Sequence, residues 1–199
     1  MAEVILRLPE VDYGGLMLHL LPPGEVVEQA AFVYARPREV SGKIIMSLVD
    51  WDAMRPQDFA YQSEYHLELE DGKRSEVIKR AHDLKASMIE WHSHPMFWPA
   101  EFSVSDLSGL IEFAPHVMWR LNERPYCAVV VTPHDFDALV WSDRKKEPNQ
   151  SFALCVGARE LNPTGCTLGS RGGRSWMKDT TEMSGHSACQ AKKSLRHYL

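Results

Sequence analysis

The sequence has 199 residues, of which 44% are hydrophobic and 25% are charged, a composition typical of an ordinary soluble globular domain. Its formal net charge of −5 argues against a nucleic-acid binder that depends on a basic surface. No window contains the roughly 18 apolar residues that a membrane-spanning helix needs, and no basic segment precedes an apolar run at the N-terminus. Neither a transmembrane helix nor a secretion signal is therefore predicted.

The cysteines are scattered along the chain and include no C-x-x-C pair. This spacing indicates neither a disulfide framework nor a cysteine-based zinc site. A reducing, cytoplasmic location fits this use of cysteine best. The four residues are Cys127, Cys155, Cys166 and Cys189.

The first half of the chain predicts strands and helices in alternation. The apolar run 30–35 predicts a buried strand that ends before Arg36-Pro37, with Glu28 just ahead of it. Residues 50–62 include Pro56 and predict a loop. The other elements expected in this half are an edge strand over 2–8, a helix over 13–21, strands over 43–49 and 65–69, and a helix from about Ser75.

The second half predicts a strand over 86–91 that carries His92 and His94 at its end. Side chains two residues apart in an extended segment point the same way, so both imidazoles can face one ion. A helix is expected from Ser105, with Asp106 in its first turn and a bend or an end at Pro115. Further strands are expected over 126–131, 138–141 and 152–156. This alternation places the chain in the α/β or α+β class.

Charge and composition change near the C-terminus. From residue 170 onward six Lys or Arg stand against two Asp or Glu, so this segment carries a formal charge of +4. We therefore expect one domain over residues 1–165 and a polar, basic tail over 166–199.

The candidate metal-binding and catalytic residues lie in the string His92-Ser93-His94-Pro95 and at Ser103 and Asp106, which follow it. Two imidazoles and one carboxylate are the ligands that a catalytic zinc takes while one position stays open. Two plainer interpretations compete with this one. The histidines could be hydrogen-bonded polar residues at a strand end, and Ser103 with Asp106 has the spacing of a helix capping box. On the sequence alone, a carboxylate turned toward a metal is not expected to serve the cap as well.

The full string resembles the JAMM motif of the MPN-domain (JAB-type) metalloprotease family. Glu28, three residues ahead of Ala31 at the start of an apolar strand, is similar to the upstream glutamate of that family; Glu25 is the competing candidate. Ala31 stands where the family more often has Gly, and the loop from His94 to Asp106 is one residue longer. The resemblance spans about residues 10–145 and implies a single MPN/JAB-like domain with a mixed, curved β-sheet flanked by helices.

The resemblance also implies roles for individual residues. His92, His94 and Asp106 would hold Zn²⁺, which lowers the pKa of a bound water toward ~7. Glu28 would be the general base, and Ser103 would donate a hydrogen bond to the oxyanion. Several aromatic residues lie close to the motif in the sequence. Two of them, Phe97 and Trp98, would either line a substrate groove or pack within the loop.

The function implied is hydrolysis of a peptide or isopeptide bond at the C-terminus of a ubiquitin-like or sulfur-carrier-like protein. The small size resembles the free-standing prokaryotic branch of the family. A ubiquitin-like protein or conjugate is thus the expected partner, without nucleic acid or membrane, and a dimer or a partner subunit is left open. The alternative is a non-catalytic scaffold subunit of the same fold. A RadC-like role in DNA repair is disfavoured by the acidic charge.

Overall fold

Ten strands and four helices follow one another in the computed structural model, which describes residues 3–96 and 99–169. In chain order they are β1 (Val4–Leu8), α1 (Glu10–Leu20), β2 (Ala30–Val40), β3 (Lys43–Ala53), β4 (Phe59–Gln62), β5 (Leu67–Leu69), α2 (Asp71–Asp83), β6 (Ser87–Ser93), α3 (Val104–Arg120), β7 (Tyr126–Val131), β8 (Phe136–Trp141), β9 (Phe152–Val156), β10 (Arg159–Leu161) and α4 (Cys166–Gly169). A short 3-10 helix, Pro56–Asp58, precedes β4.

Eight of the strands form one curled, mixed sheet in the order β10-β9-β1-β3-β2-β6-β7-β8, and β4 pairs with β5 separately. Helix α1 covers one face, and α2 and α3 cover the other. The inner strands are apolar on both faces because both faces are covered. In β2, Phe32 and Tyr34 pack toward α2 and α3, whereas Val33 and Ala35 pack toward α1. The expected α+β class with a mixed sheet is confirmed.

The first strand lies inside the sheet, so the expectation of an edge strand is wrong. β1 runs parallel to β3 on one side and parallel to β9 on the other. Strand β9 lies almost 150 residues further along the chain. Alternating hydrophobicity reports which side chains are buried, and it carries no information about such a distant partner.

Strand β2 continues through Arg36 and Pro37 to Val40, beyond its predicted end. The pairing explains why proline is tolerated there. β6 pairs with β2 only from Ala30 to Ala35, whereas β3 pairs along the whole of β2. Beyond Ala35 one edge of β2 is therefore not paired with β6. Proline has no backbone N–H, and at an unpaired edge this costs no hydrogen bond between strands.

The predicted loop over 50–62 is largely structured. β3 extends to Ala53 although its end carries Asp50 and Asp52. Both carboxylates form ion pairs with Arg80 of α2, and Asp52 also accepts a hydrogen bond from the Tyr34 hydroxyl at 2.8 Å. These partners come from distant parts of the chain and allow acidic residues within a strand.

Helix α3 runs without interruption past Pro115 to Arg120, so the proline does not end it. The apolar side of the helix is buried against the sheet through Leu107, Leu110, Ala114 and Val117. Packing of this stripe offsets the hydrogen bond that proline cannot donate. Within the described residues, no helix is both long and apolar enough to cross a membrane.

Candidate metal centre

Two neighbouring strands bring the sequence motif and the upstream glutamate together. β2 and β6 are antiparallel, and Ala30 is the partner of His92. Stepping two residues back from Ala30 and two forward from His92 places Glu28 beside His94. The Nε2 atom of His94 lies 3.5 Å from Oε1 of Glu28. The sheet register thus unites residues that are more than sixty positions apart.

The third candidate ligand comes from the first turn of α3. Oδ2 of Asp106 lies 3.5 Å from Nε2 of His92 and 3.4 Å from Nε2 of His94. One ligand atom from each of these three residues lies within 4.8 Å of the others. The residues Glu28, His92 and His94 are at most 5% exposed. The residues can therefore hold a metal ion in a largely enclosed site.

Two features test whether the three side chains fit a zinc ion. Ligands about 2.1 Å from a tetrahedral centre stand about 3.4 Å apart, which matches the separations of Asp106 Oδ2 from both histidine nitrogens. In addition, Nε2 of His92 is buried and makes no hydrogen bond within the described chain. A buried nitrogen that makes no hydrogen bond is costly, and metal ligation would satisfy it. Both features fit a His-His-Asp metal site.

Asp106 also completes the capping box of α3. Its Oδ2 accepts a hydrogen bond of 2.7 Å from the backbone N–H of Ser103, and its own N–H donates to Ser103 Oγ at 3.1 Å. The expectation that a carboxylate facing the metal would not serve the cap is therefore wrong. The same oxygen faces both histidines and the helix N-terminus, because an anionic group is favourable at each.

Burial and mutual charge shift the titration of all four groups. Burial raises the pKa of Glu28 to about 7, with His92 opposing the rise and Asp106 adding to it. Burial lowers the pKa of His92, but Asp106, Glu90 and Glu28 together outweigh burial and raise that pKa to about 8. Burial lowers the pKa of His94. Despite burial, the histidines hold the pKa of Asp106 well below its usual range. A bound dication would lower the pKa of each group.

Three residues to which the sequence assigned no role of their own hold the site in shape. Ser93, between the two histidines, accepts a hydrogen bond of 2.9 Å from the Gln29 backbone N–H. Gln62 donates to the Glu28 carbonyl at 2.8 Å, and the Glu28 N–H donates to the Ser63 carbonyl at 2.9 Å. The β4–β5 hairpin thereby fixes the backbone of Glu28. No local pattern signals these contacts, since each joins segments at least 34 residues apart.

The loop between His94 and α3 is anchored by the segment that follows β10. Phe102 donates its N–H to Thr167 Oγ1 at 3.0 Å, and Thr164 donates its hydroxyl to the Ala100 carbonyl at 2.8 Å. Thr167 in turn donates to the buried carboxylate of Asp137. This anchor, residues 162–169 with Asp137, holds the chain just before Asp106. Residues 166–169 of the predicted tail thus pack on the domain.

The other residues named from the sequence fall in different places. Glu25 is exposed, and its carboxylate accepts hydrogen bonds from backbone N–H groups of its own loop. Ser103 is half-buried at the start of α3. The proposed groove residues Phe97 and Trp98 lie outside the described residues, as does the rest of the predicted tail, 170–199.

No protein-family model and no curated protein matches this chain. Among solved structures, the Trichoplax adhaerens STIL N-terminal domain is similar at 10% sequence identity and a TM-score of 0.31. That similarity covers 65% of this chain and 37% of the other, so this chain spans little more than a third of that structure. A likeness this weak carries no argument about fold or function.

Proposed function

We propose that this chain is a zinc-dependent peptidase or isopeptidase of the JAMM type. The observation that carries the proposal is the meeting of His92, His94 and Asp106 with the buried carboxylate of Glu28 beside them. Two imidazoles and a carboxylate suit zinc, and three protein ligands leave a position open for catalysis. The family resemblance of the motif supports the same reaction class.

Glu28 is placed to act as the general base. Zinc held by the three ligands would supply a Lewis acid that makes a water molecule acidic enough to ionise near neutral pH. The carboxylate of Glu28 takes the proton of the water that attacks the scissile carbonyl carbon. It then gives this proton to the amine as the carbon–nitrogen bond breaks. A buried carboxylate suits this exchange because burial raises the pKa of Glu28 and so opposes the lowering that a bound dication would cause.

Ser103 is the candidate donor to the developing oxyanion. Its hydroxyl oxygen accepts the Asp106 N–H, and its hydroxyl hydrogen donates to no group in the described part of the chain. A hydroxyl retains one donor after accepting such a bond. Ser103 can therefore cap α3 and stabilise negative charge at the same time.

The proposed substrate is the C-terminal bond of a ubiquitin-like or sulfur-carrier-like protein, as the motif resemblance suggests. We place the activity in the cytoplasm, because Cys127, Cys155 and Cys166 are free thiols in the described chain. A non-catalytic scaffold of the same fold is the alternative. A complete ligand set with a buried glutamate beside it counts against that alternative, because a scaffold has no need of either.

Glu28→Gln tests the proposal because it removes the base and keeps the shape of the side chain. We expect zinc content to stay at the wild-type level and cleavage of ubiquitin-like fusion proteins to fall by about 10²–10⁴-fold. Glu25→Gln is the matched control, since Glu25 lies in the same loop and is exposed. Wild-type cleavage by the Glu28 variant, or an equal loss in the Glu25 variant, would contradict the assignment.

A further inference from the structure

A cavity of about 730 Å³ opens directly from the candidate metal centre. His92 and Asp106 line its inner end, and it follows α3 as far as Phe113 and His116. Residues of the β4–β5 hairpin and of the start of α2 also line it. The volume is within the usual range of small-ligand sites, so the cavity is large enough for part of a substrate.

The floor of this cavity contains an acidic residue, Glu90. It lies on β6 two residues before His92, so both side chains emerge on the same face of the sheet. Glu90 Oε2 accepts a hydrogen bond of 2.6 Å from the Tyr126 hydroxyl. Among the described residues, no lysine or arginine forms an ion pair with it. Glu90 interacts electrostatically with His92 and Arg74 but forms an ion pair with neither of them, so a cationic group that enters the cavity can bind its carboxylate.

The rest of the lining has the character of a site for an amphipathic side chain. Phe32, Leu110 and Phe113 provide apolar walls. Once Asp106 is assigned to the metal, the carboxylates that remain in the lining are Glu68, Glu90 and Glu112, and the one formal cation in the lining is Arg74. The Arg74 guanidinium lies 5.6 Å from the ring centre of Phe113, at the wall. Long cationic side chains combine an apolar stem with a charged head, as this lining requires.

We propose that this cavity is a subsite for a lysine or arginine side chain of the substrate, with Glu90 as its counter-ion. Its assignment to a substrate rests on the peptidase function proposed above. The subsite would select substrates with a cationic residue close to the scissile bond. It would discriminate against an apolar residue of the same length, because that residue would leave the Glu90 carboxylate uncompensated.

A binding experiment that needs no turnover tests the subsite. N-acetyl-arginine methylamide and N-acetyl-norleucine methylamide are titrated into the full-length, chelator-treated protein and followed by amide chemical shifts. We expect the wild type to bind the arginine probe at least about tenfold more tightly than the norleucine probe. The norleucine side chain would bury the Glu90 carboxylate without offering it a hydrogen-bond donor. Shifts should concentrate on β6 and α3.

Variants then assign the preference to one carboxylate. Glu90→Gln retains an acceptor for the Tyr126 hydroxyl and should lose the arginine preference. Glu39→Gln, at the exposed outer end of β2 and outside the lining of the cavity, should keep it. Equal binding of the two probes to the wild type would overturn the proposal without reference to any variant. An undiminished arginine preference in a folded Glu90→Gln protein would overturn it as well.

Cleavage provides the second measurement and separates the two proposals. Cationic residues near the scissile bond of a cleaved fusion protein are replaced by leucine. This change in the substrate should lower kcat/KM at least tenfold for the wild-type enzyme and only slightly for the Glu90→Gln enzyme. Arginine-selective binding without any cleavage would retain the cationic site and reject the peptidase function. Cleavage without selectivity in either measurement would reject the cationic site alone.

Discussion

Ser93 connects the candidate metal-binding motif to Glu28, the proposed general base. Its hydroxyl accepts the Gln29 N–H, one residue after Glu28, while its neighbours His92 and His94 face the metal site. A short motif in the sequence predicts His92, His94 and Asp106 together because their spacing is local. The role of Ser93 depends on a contact 64 residues away, which no local pattern contains.

Ser93→Ala should lower the free energy of unfolding by about 1–2 kcal/mol, because the buried Gln29 N–H loses its acceptor. The same substitution at Ser87 is a matched control. Both serines are fully buried on β6, but Ser87 Oγ has no hydrogen-bond partner in the described chain. Urea unfolding should therefore show a stable Ser87→Ala protein and a destabilised Ser93→Ala protein. Equal effects would contradict the role assigned to Ser93.

At the level of elements, the anchor formed by residues 162–169 and Asp137 fixes the loop before α3. Asp137 is fully buried and accepts hydrogen bonds from the Ala138, Gly165 and Thr167 backbones and from the side chains of Gln150 and Thr167. Five donor atoms satisfy this carboxylate without a cation. The segment that follows β10 thereby contributes to the position of Asp106.

Thr167→Val should loosen this loop while preserving side-chain volume. The change removes the acceptor of the Phe102 N–H and one donor to Asp137, so we expect a loss of about 1–3 kcal/mol in stability. Hydrogen exchange locates the effect. The Phe102 amide should exchange faster, whereas the Leu107 amide, which donates to Ser103 within α3, should keep its wild-type protection. Unchanged exchange at Phe102 would contradict the proposed anchor.

At the scale of the whole molecule, the candidate metal centre joins the end of β6 to the start of α3. A ligand that binds only the folded state stabilises it by an amount set by its concentration relative to Kd. Saturating zinc at about 100 times Kd should therefore add about 2.7 kcal/mol to the stability of the wild type. His92→Ala should remove this gain in chemical unfolding. His116→Ala should retain it, because His116 is exposed on α3 outside the ligand set. A zinc-dependent gain in His92→Ala equal to that of the wild type would place the metal elsewhere.

Sequence patterns predicted the local features of this molecule better than its connections. Most strands and helices were predicted near their positions, since the apolar periodicity reflects burial in the sheet and beneath α2 and α3. The inner position of β1, the continuation of β2 through Pro37 and the acidic end of β3 were not predicted. The first and the last depend on partners far along the chain, which are β9 and Arg80. The continuation of β2 depends on where its pairing with β6 ends.

The central claim is that His92, His94 and Asp106 bind one zinc ion. Elemental analysis of the full-length protein, purified without chelators, tests it most directly when the wild type, His94→Ala and Glu28→Gln are compared. We predict about one zinc per chain in the wild type and in Glu28→Gln. We predict a loss of most of the zinc in His94→Ala, because only two of the three protein ligands remain. A wild type without bound zinc, or a His94→Ala protein with full occupancy, would contradict the account.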